Sequence, residues 1–179
     1  MLHERFAGMI DAFRPAEGPP PRRLGAFFRW CLAGAWPGLI VAAVASAAGG
    51  IADVLSATLL GAVVDAVTAS SPESLIRDHG VLIAGFVLFF LVARPLIYGL
   101  STASSNVIIG PNVLPLVLSR LHRWTMGHAV TFFDNDFAGR IAQKQMQTAR
   151  AVTDVASEAV NTVTFALASV LGSVGYLVM

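Results

Sequence analysis

The sequence has little charge, one lysine and one cysteine. Only 13% of its 179 residues are charged, 55% are hydrophobic and the mean hydropathy is +0.68, which is too apolar for an ordinary soluble domain. The single cysteine, Cys31, excludes an intramolecular disulfide, and we expect it to be inert beside its apolar neighbours. The net charge of +1, with arginines scattered at the edges of apolar runs, provides no basic patch for nucleic acid. These shortages favour a membrane protein.

Catalytic and nucleotide-binding signatures are also missing. The sequence contains no G-x-x-x-x-G-K-[ST] loop, and its one lysine, Lys144, follows Gln143, so we expect these residues neither to bind nor to hydrolyse ATP. No nucleophile stands with a recognisable base and orienting group. The histidines are scattered, without cysteine or carboxylate at metal-ligand spacing, and predict no metal site: His3, His79, His122 and His128.

Three apolar segments are long enough to cross a bilayer as helices. They cover about 38–67, 80–109 and 159–179. About 30 helical residues measure about 45 Å, against a hydrocarbon core of about 30 Å, so the first helix must tilt or project from the membrane. Small side chains concentrate in the first and third segments and predict close helix packing: Ala42, Ala43, Ser46, Ala47, Gly49, Gly50, Ser169, Gly172, Ser173 and Gly175.

The segments outside the spans indicate an orientation. Residues 1–21 form an N-terminal segment that ends in a proline-rich linker, and 22–36 form a basic aromatic segment suited to the headgroup region. Arginine and lysine concentrate in these parts and in a polar loop at about 120–158, whereas the connection between the first two spans carries only Arg77, beside acidic residues. The positive-inside rule therefore predicts a cytoplasmic N-terminus and a cytoplasmic 120–158 loop.

Two opposite charges lie inside the spans, Asp53 in the first and Arg94 in the second. They stand at nearly equal distances from the connection near Glu73, so an antiparallel hairpin places them at matching depth. Asp53 is about 18 Å along the helix from Asp65, close to the middle of a bilayer. An ionisable residue at this depth is costly and marks a functional site by default; the alternative, which we favour, is a structural ion pair. If the two side chains do not meet, Asp53 becomes a candidate for lining a substrate path.

The segment Thr131–Val152 is the one long polar stretch between apolar runs. Its first part combines paired phenylalanines with turn-favouring side chains at 134–136, and a helical pattern resumes after Gly139. The motifs Phe-Phe-Asp at 132–134 and Gly-Arg-Ile at 139–141 resemble the first intracellular loop of the transmembrane domain of ABC exporters.

The resemblance continues through Lys144 and residues 148–152. It departs from the family where many relatives carry a Ser-Arg pair and, four residues on, an Asp, since this chain has Gln143, Lys144 and Thr148. In that family a short coupling helix at this loop touches the ATPase domain. The residues that the resemblance assigns to this loop are Phe132, Phe133, Asp134, Asn135, Asp136, Gly139 and Arg140.

The resemblance implies an all-α membrane protein whose long transmembrane helices extend into the cytoplasm, with an interfacial elbow helix at 22–36 and a partial transmembrane domain at 37–179. It further implies the permease part of an ATP-driven exporter, which works by alternating access in the bilayer, in bacteria the inner membrane. The implied partners are an ABC ATPase domain in the same or another chain, which would hold ATP and Mg, and a second transporter half in a homo- or heterodimer. No cofactor is expected in these residues.

A second interpretation is a small stand-alone three-span membrane anchor or assembly subunit. The apolar residues 175–179 lack a polar flank, so we expect the natural chain to continue beyond them. Further spans and a phosphate-binding loop downstream would favour the exporter, whereas an immediate stop would favour the anchor.

Overall fold

The computed structural model describes residues 9–129, 132 and 138–178, apart from the side chains at 72, 73 and 138. This part of the chain is helical and contains no strand. The elements in chain order are α1 (Leu24–Leu32), α2 (Trp36–Ala69), α3 (Pro72–Leu88), a π turn (Phe89–Ala93), α4 (Arg94–Ser104), a π turn (Ser105–Ile109), α5 (Gly110–Met126), α6 (Ala138–Glu158), a π turn (Ala159–Val163) and α7 (Thr164–Val178).

These elements join into three long helices, Trp36–Ala69, Ser74–Met126 and Gly139–Val178. All three are long and apolar enough to cross a membrane. The prediction of an all-α membrane protein is therefore confirmed. The short helix α1 falls within the interval predicted for the elbow helix. Helix α6 lies wholly within the predicted polar loop, whereas α5 enters it only with its C-terminal part from Arg120 to Met126.

Two of the π turns precede prolines. Pro95 lacks an N–H, and its ring would clash with the carbonyl of Leu91 in an ideal α-helix; the turn Phe89–Ala93 widens the helix at this point. The same relation holds between Pro111 and the turn Ser105–Ile109. There the amide of Asn112 donates to the carbonyl oxygens of Val107 and Ile108, at 3.4 Å and 3.1 Å. The side chain of Asn112 thus provides hydrogen bonds to carbonyl groups at the point where Pro111 interrupts the backbone hydrogen bonds of the helix.

The described residues form two compact units. The first contains 9–42 and 103–160. Its core is a set of fully buried apolar side chains on α1, the turn Ser105–Ile109 and α5: Cys31, Ile108, Ile109, Val113, Leu116 and Val117. The amphipathic helix α6 packs on α5 through Ala149 and Val152, which are also buried. The burial of these apolar side chains gives this unit a hydrophobic core of its own.

The second unit contains 43–102 and 161–178, and small residues hold its helices together. A Cβ added at Gly50 on α2 would lie 2.4 Å from the carbonyl oxygen of Phe165 on α7, and one at Gly172 would lie 3.2 Å from Val54. Ser46 donates to the carbonyl of Asn161 at 2.9 Å. The predicted packing role of the small residues is confirmed for these positions, since glycine lets the backbones approach closely.

Helix faces in the second unit are strongly apolar and open. Val81 is 91% exposed, Leu91 72% and Leu171 69%. Large aliphatic side chains at such exposure are unfavourable in water and favourable in lipid or against other helices. The high mean hydropathy of the sequence therefore comes in part from apolar side chains on the surface of these helices.

Candidate functional site

The structure brings Asp53 and Arg94 together in the second unit. Nη2 of Arg94 lies 3.3 Å from Oδ1 of Asp53, which is within hydrogen-bond and salt-bridge range. Tyr98, one turn further along α4, donates its hydroxyl to the same oxygen at 2.5 Å. One carboxylate oxygen therefore accepts from two donors, and charge-assisted bonds of this kind are stronger than neutral ones. The cluster links α2 to α4.

Aromatic rings surround the guanidinium of Arg94. Its carbon lies 5.5 Å from the ring centroids of both Phe90 and Tyr98, a distance at which a cation is attracted to the ring face. The three residues are spaced by four, so they project on one side of the helix, and the π turn before Pro95 ends at the residue preceding Arg94. The sequence did not lead us to predict Phe90 and Tyr98 as partners of Arg94. Aromatic residues four positions before and after an intramembrane arginine could have indicated this contact.

The cluster is half open in this chain. The side chains of Arg94 and Asp53 retain 39% and 38% exposure. Among the residues that the structure describes, no group of histidine, cysteine and carboxylate side chains could hold a metal ion. The arrangement can hold two helices in register and present a partly open charge pair, and it contains no nucleophile.

The predicted coupling loop lies between α5 and α6 in the sequence of the first unit and includes the first residues of α6. At the end of α5, the rings of Trp124 and His128 make an edge contact with centroids 5.2 Å apart, and Phe132 lies 4.6 Å from His128. Gln145 on α6 donates to the hydroxyl of Thr125 on α5 at 2.6 Å. These contacts tie the two helices together beside the loop.

The structure places only part of the predicted loop set. Phe132 remains 46% exposed while it contacts His128, and Gly139 and Arg140 lie exposed in the first turn of α6. Phe133, Asp134, Asn135 and Asp136 lie outside the described residues. The role of the whole set in coupling therefore stays a prediction.

A buried arginine that the sequence analysis treated only as a topology signal organises the first unit. Arg120 on α5 is 2% exposed. Its guanidinium donates to four carbonyl oxygens, those of Arg14 at 3.1 Å, Trp30 at 2.7 Å, Cys31 at 2.9 Å and Ala33 at 2.5 Å. Three of the four belong to the C-terminal end of α1, where helix carbonyls lack partners and a positive charge is favourable.

This clamp also fixes the N-terminal segment. Ser119 donates to the carbonyl of Ala12 at 3.1 Å, and the indole of Trp30 donates to the carbonyl of Glu17 at 3.2 Å. Burial raises the pKa of the Cys31 thiol to about 12, an effect that the nearby positive charge of Arg120 opposes only in part. The predicted inertness of Cys31 has a physical cause in this burial.

The comparisons with known proteins give one distant similarity. The chain is 27% identical over 143 residues to an uncharacterized ABC transporter ATP-binding protein of Haemophilus influenzae, and the match covers 78% of this chain and 23% of that protein. The chain thus spans about a quarter of the length of this relative. No family model matches the chain, and no solved structure matches it. The similarity and the three long apolar helices together indicate a component of a membrane transporter.

Proposed function

We propose that this chain is the transmembrane permease part of an ATP-driven ABC exporter. The observation that carries the proposal is the match to about a quarter of an ABC transporter protein, in a chain that consists of long apolar helices and lacks a phosphate-binding loop. A segment with these properties fits the membrane part of such a transporter and not its nucleotide-binding part. ATP and Mg would then bind in an ATPase domain, in the same or another chain.

The hairpin of α5 and α6 is the element suited to coupling. Both helices continue spans without a break in helical structure, so a displacement at their polar end would be transmitted along the helices toward the membrane. In the proposed mechanism, closure of the ATPase domains pushes on the loop between Met126 and Ala138, and the spans alternate between inward- and outward-facing arrangements. A second transporter half completes the pathway.

The orientation can be tested with single introduced cysteines, because native Cys31 is fully buried and has a raised pKa. Ala69→Cys lies at the C-terminal end of α2, next to the connection between the first two spans, and Gly139→Cys lies at the start of α6; both positions are exposed. We expect a membrane-impermeant maleimide to label Ala69→Cys from the outside of spheroplasts and Gly139→Cys only in inside-out vesicles. Labelling of both from one side would contradict the proposed topology.

Coupling can be tested in the complete transporter. Exposed aromatic side chains often mark a contact site, and we expect Phe132→Ala to lower substrate-stimulated ATPase activity more than basal activity. Ile76→Ala is a matched control, since Ile76 is also apolar and exposed but lies on α3, close in sequence to the connection between the first two spans. Equal loss of both activities, with poor folding, would instead show that Phe132 only packs against His128.

A further inference from the structure

A basic cleft lies where the N-terminal segment and α1 pack against α5. It has a volume of about 350 Å³. Its walls come from the N-terminal segment, the exposed side of α1 and the buried clamp of α5, and its lining includes Arg14, Glu17, Arg29, Trp30 and Arg120. All of these residues belong to the first unit. The cleft shares no residue with the Asp53 cluster or with the predicted coupling loop.

The charge of the cleft is unbalanced. Three guanidinium groups face one carboxylate, that of Glu17. Arg120 donates its hydrogen bonds to backbone carbonyls, which carry no net charge and leave its positive charge uncompensated. Asp11, an acidic residue of the same N-terminal segment, does not line the cleft and accepts from the backbone N–H of Phe13. Arg14 and Arg29 are exposed, and the structure records no ion pair for either of them among the described residues. An anion entering the cleft would therefore meet two available guanidinium groups and the field of a third.

The surroundings identify which anion fits. Helix α1 has the sequence LGAFFRWCL, and its Leu24 is 73% exposed while Cys31 and Leu32 are buried. Arg22 and Arg23 precede the helix. A short helix with exposed apolar and aromatic side chains beside arginines suits the boundary between headgroups and acyl chains. The rings of Trp30 and Phe27 are stacked, with their centroids 6.3 Å apart. Indole rings favour the boundary between lipid headgroups and acyl chains.

We propose that this cleft binds the phosphate of an anionic phospholipid headgroup, with Arg14 and Arg29 as its donors. The phosphate oxygens accept from the two guanidinium groups, for which planar, paired N–H donors are well suited. The acyl chains extend along the apolar side of α1. The inference rests on the placement of α1 at the bilayer surface, which the proposed function implies, and requires no ATP-driven step.

Trp30 provides a local readout. The chain has three tryptophans, so replacing Trp36 and Trp124 by phenylalanine leaves Trp30 as the single indole. Quenching of its fluorescence by spin-labelled phosphatidylglycerol, compared with spin-labelled phosphatidylcholine, measures lipid selectivity in mixed micelles. We expect the selectivity for phosphatidylglycerol to fall about tenfold in Arg14→Gln and in Arg29→Gln, since each change removes a charge-assisted hydrogen bond to the phosphate. Arg22→Gln and Arg23→Gln change neighbouring charges outside the cleft lining and should leave most of the selectivity.

Three outcomes would overturn the inference. Equal loss in Arg22→Gln and Arg29→Gln would show diffuse surface attraction and no site. Displacement of the lipid by millimolar inorganic phosphate would show a site for a soluble anion. Equal quenching by the two lipids would show that the cleft does not select a headgroup. The quenching assay involves no ATPase, so the two proposals can fail separately. Lipid selectivity at the unsubstituted cleft of a protein that does not transport would refute the proposed function alone. Absence of that selectivity in a protein that does transport would refute this inference alone.

Discussion

The pair of Asp53 and Arg94 allows a quantitative test of what joins α2 to α4. Two unit charges about 4 Å apart attract by about 4 kcal/mol at an effective dielectric constant of about 20, whereas fully exposed pairs contribute about 0–1 kcal/mol. The side chains are 39% and 38% exposed, so the pair lies between these limits. We expect a coupling free energy of about 1–2 kcal/mol between the two side chains.

A double-mutant cycle measures this coupling. The variants are Asp53→Asn, Arg94→Gln and their combination, and the quantity is the free energy of unfolding in mixed micelles, followed by tryptophan fluorescence. Each single change leaves a charge without its partner at a site where an unpaired charge costs about 2.5–3.5 kcal/mol on insertion scales. The combined variant should therefore lose less than the two single losses added together.

The charge-swapped variant Asp53→Arg/Arg94→Asp adds a second criterion. We expect it to recover part of the stability that either single swap loses. The recovery is incomplete because the swapped cation no longer lies 5.5 Å from the rings of Phe90 and Tyr98, contacts worth about 0.5–2 kcal/mol. Additive effects within about 0.5 kcal/mol in the cycle, together with no recovery in the swap, would refute a direct interaction.

Three further outcomes follow from the packing of the two units. Gly50→Ala should destabilise the protein by about 1–3 kcal/mol, because its Cβ would lie 2.4 Å from a backbone oxygen of α7. In the same unfolding assay Gly61→Ala on the same helix, which meets no atom within 4 Å, should be neutral or slightly stabilising, since alanine favours the helix. Arg120→Gln should lower the free energy of unfolding by about 3 kcal/mol or more, since it removes charged bonds to four carbonyls, while the exposed Arg123→Gln on the same helix should change it little. Iodoacetamide should leave Cys31 unmodified at pH 8 in the folded protein and modify it after denaturation. The raised pKa of about 12 keeps the buried thiol protonated at pH 8, so rapid reaction of the native protein at this pH would contradict its burial.

The amino-acid sequence by itself determined the class of the protein and the approximate positions of its three apolar segments, although the second and third helices extend well beyond the predicted spans. The scarcity of charge between 38 and 67 and between 80 and 109 is a local property that predicts spans directly. The prolines at 95 and 111 likewise locate disturbances in the second long helix, since a missing N–H and a ring clash act within one turn. The matching depth of Asp53 and Arg94 follows from counting residues along two antiparallel helices.

Only the tertiary structure decided which faces of these helices meet. Depth along a helix follows from the 1.5 Å rise per residue, but rotation about the axis depends on packing against partners distant in sequence. The rotation of each helix about its axis decides that Tyr98 contacts Asp53 and that Gly50 packs against the backbone of Phe165. Arg120 is the clearest case: the sequence marks it as one cytoplasmic charge among several, and its burial against the end of α1 arises because unpartnered helix carbonyls converge on one guanidinium across about 90 residues of sequence.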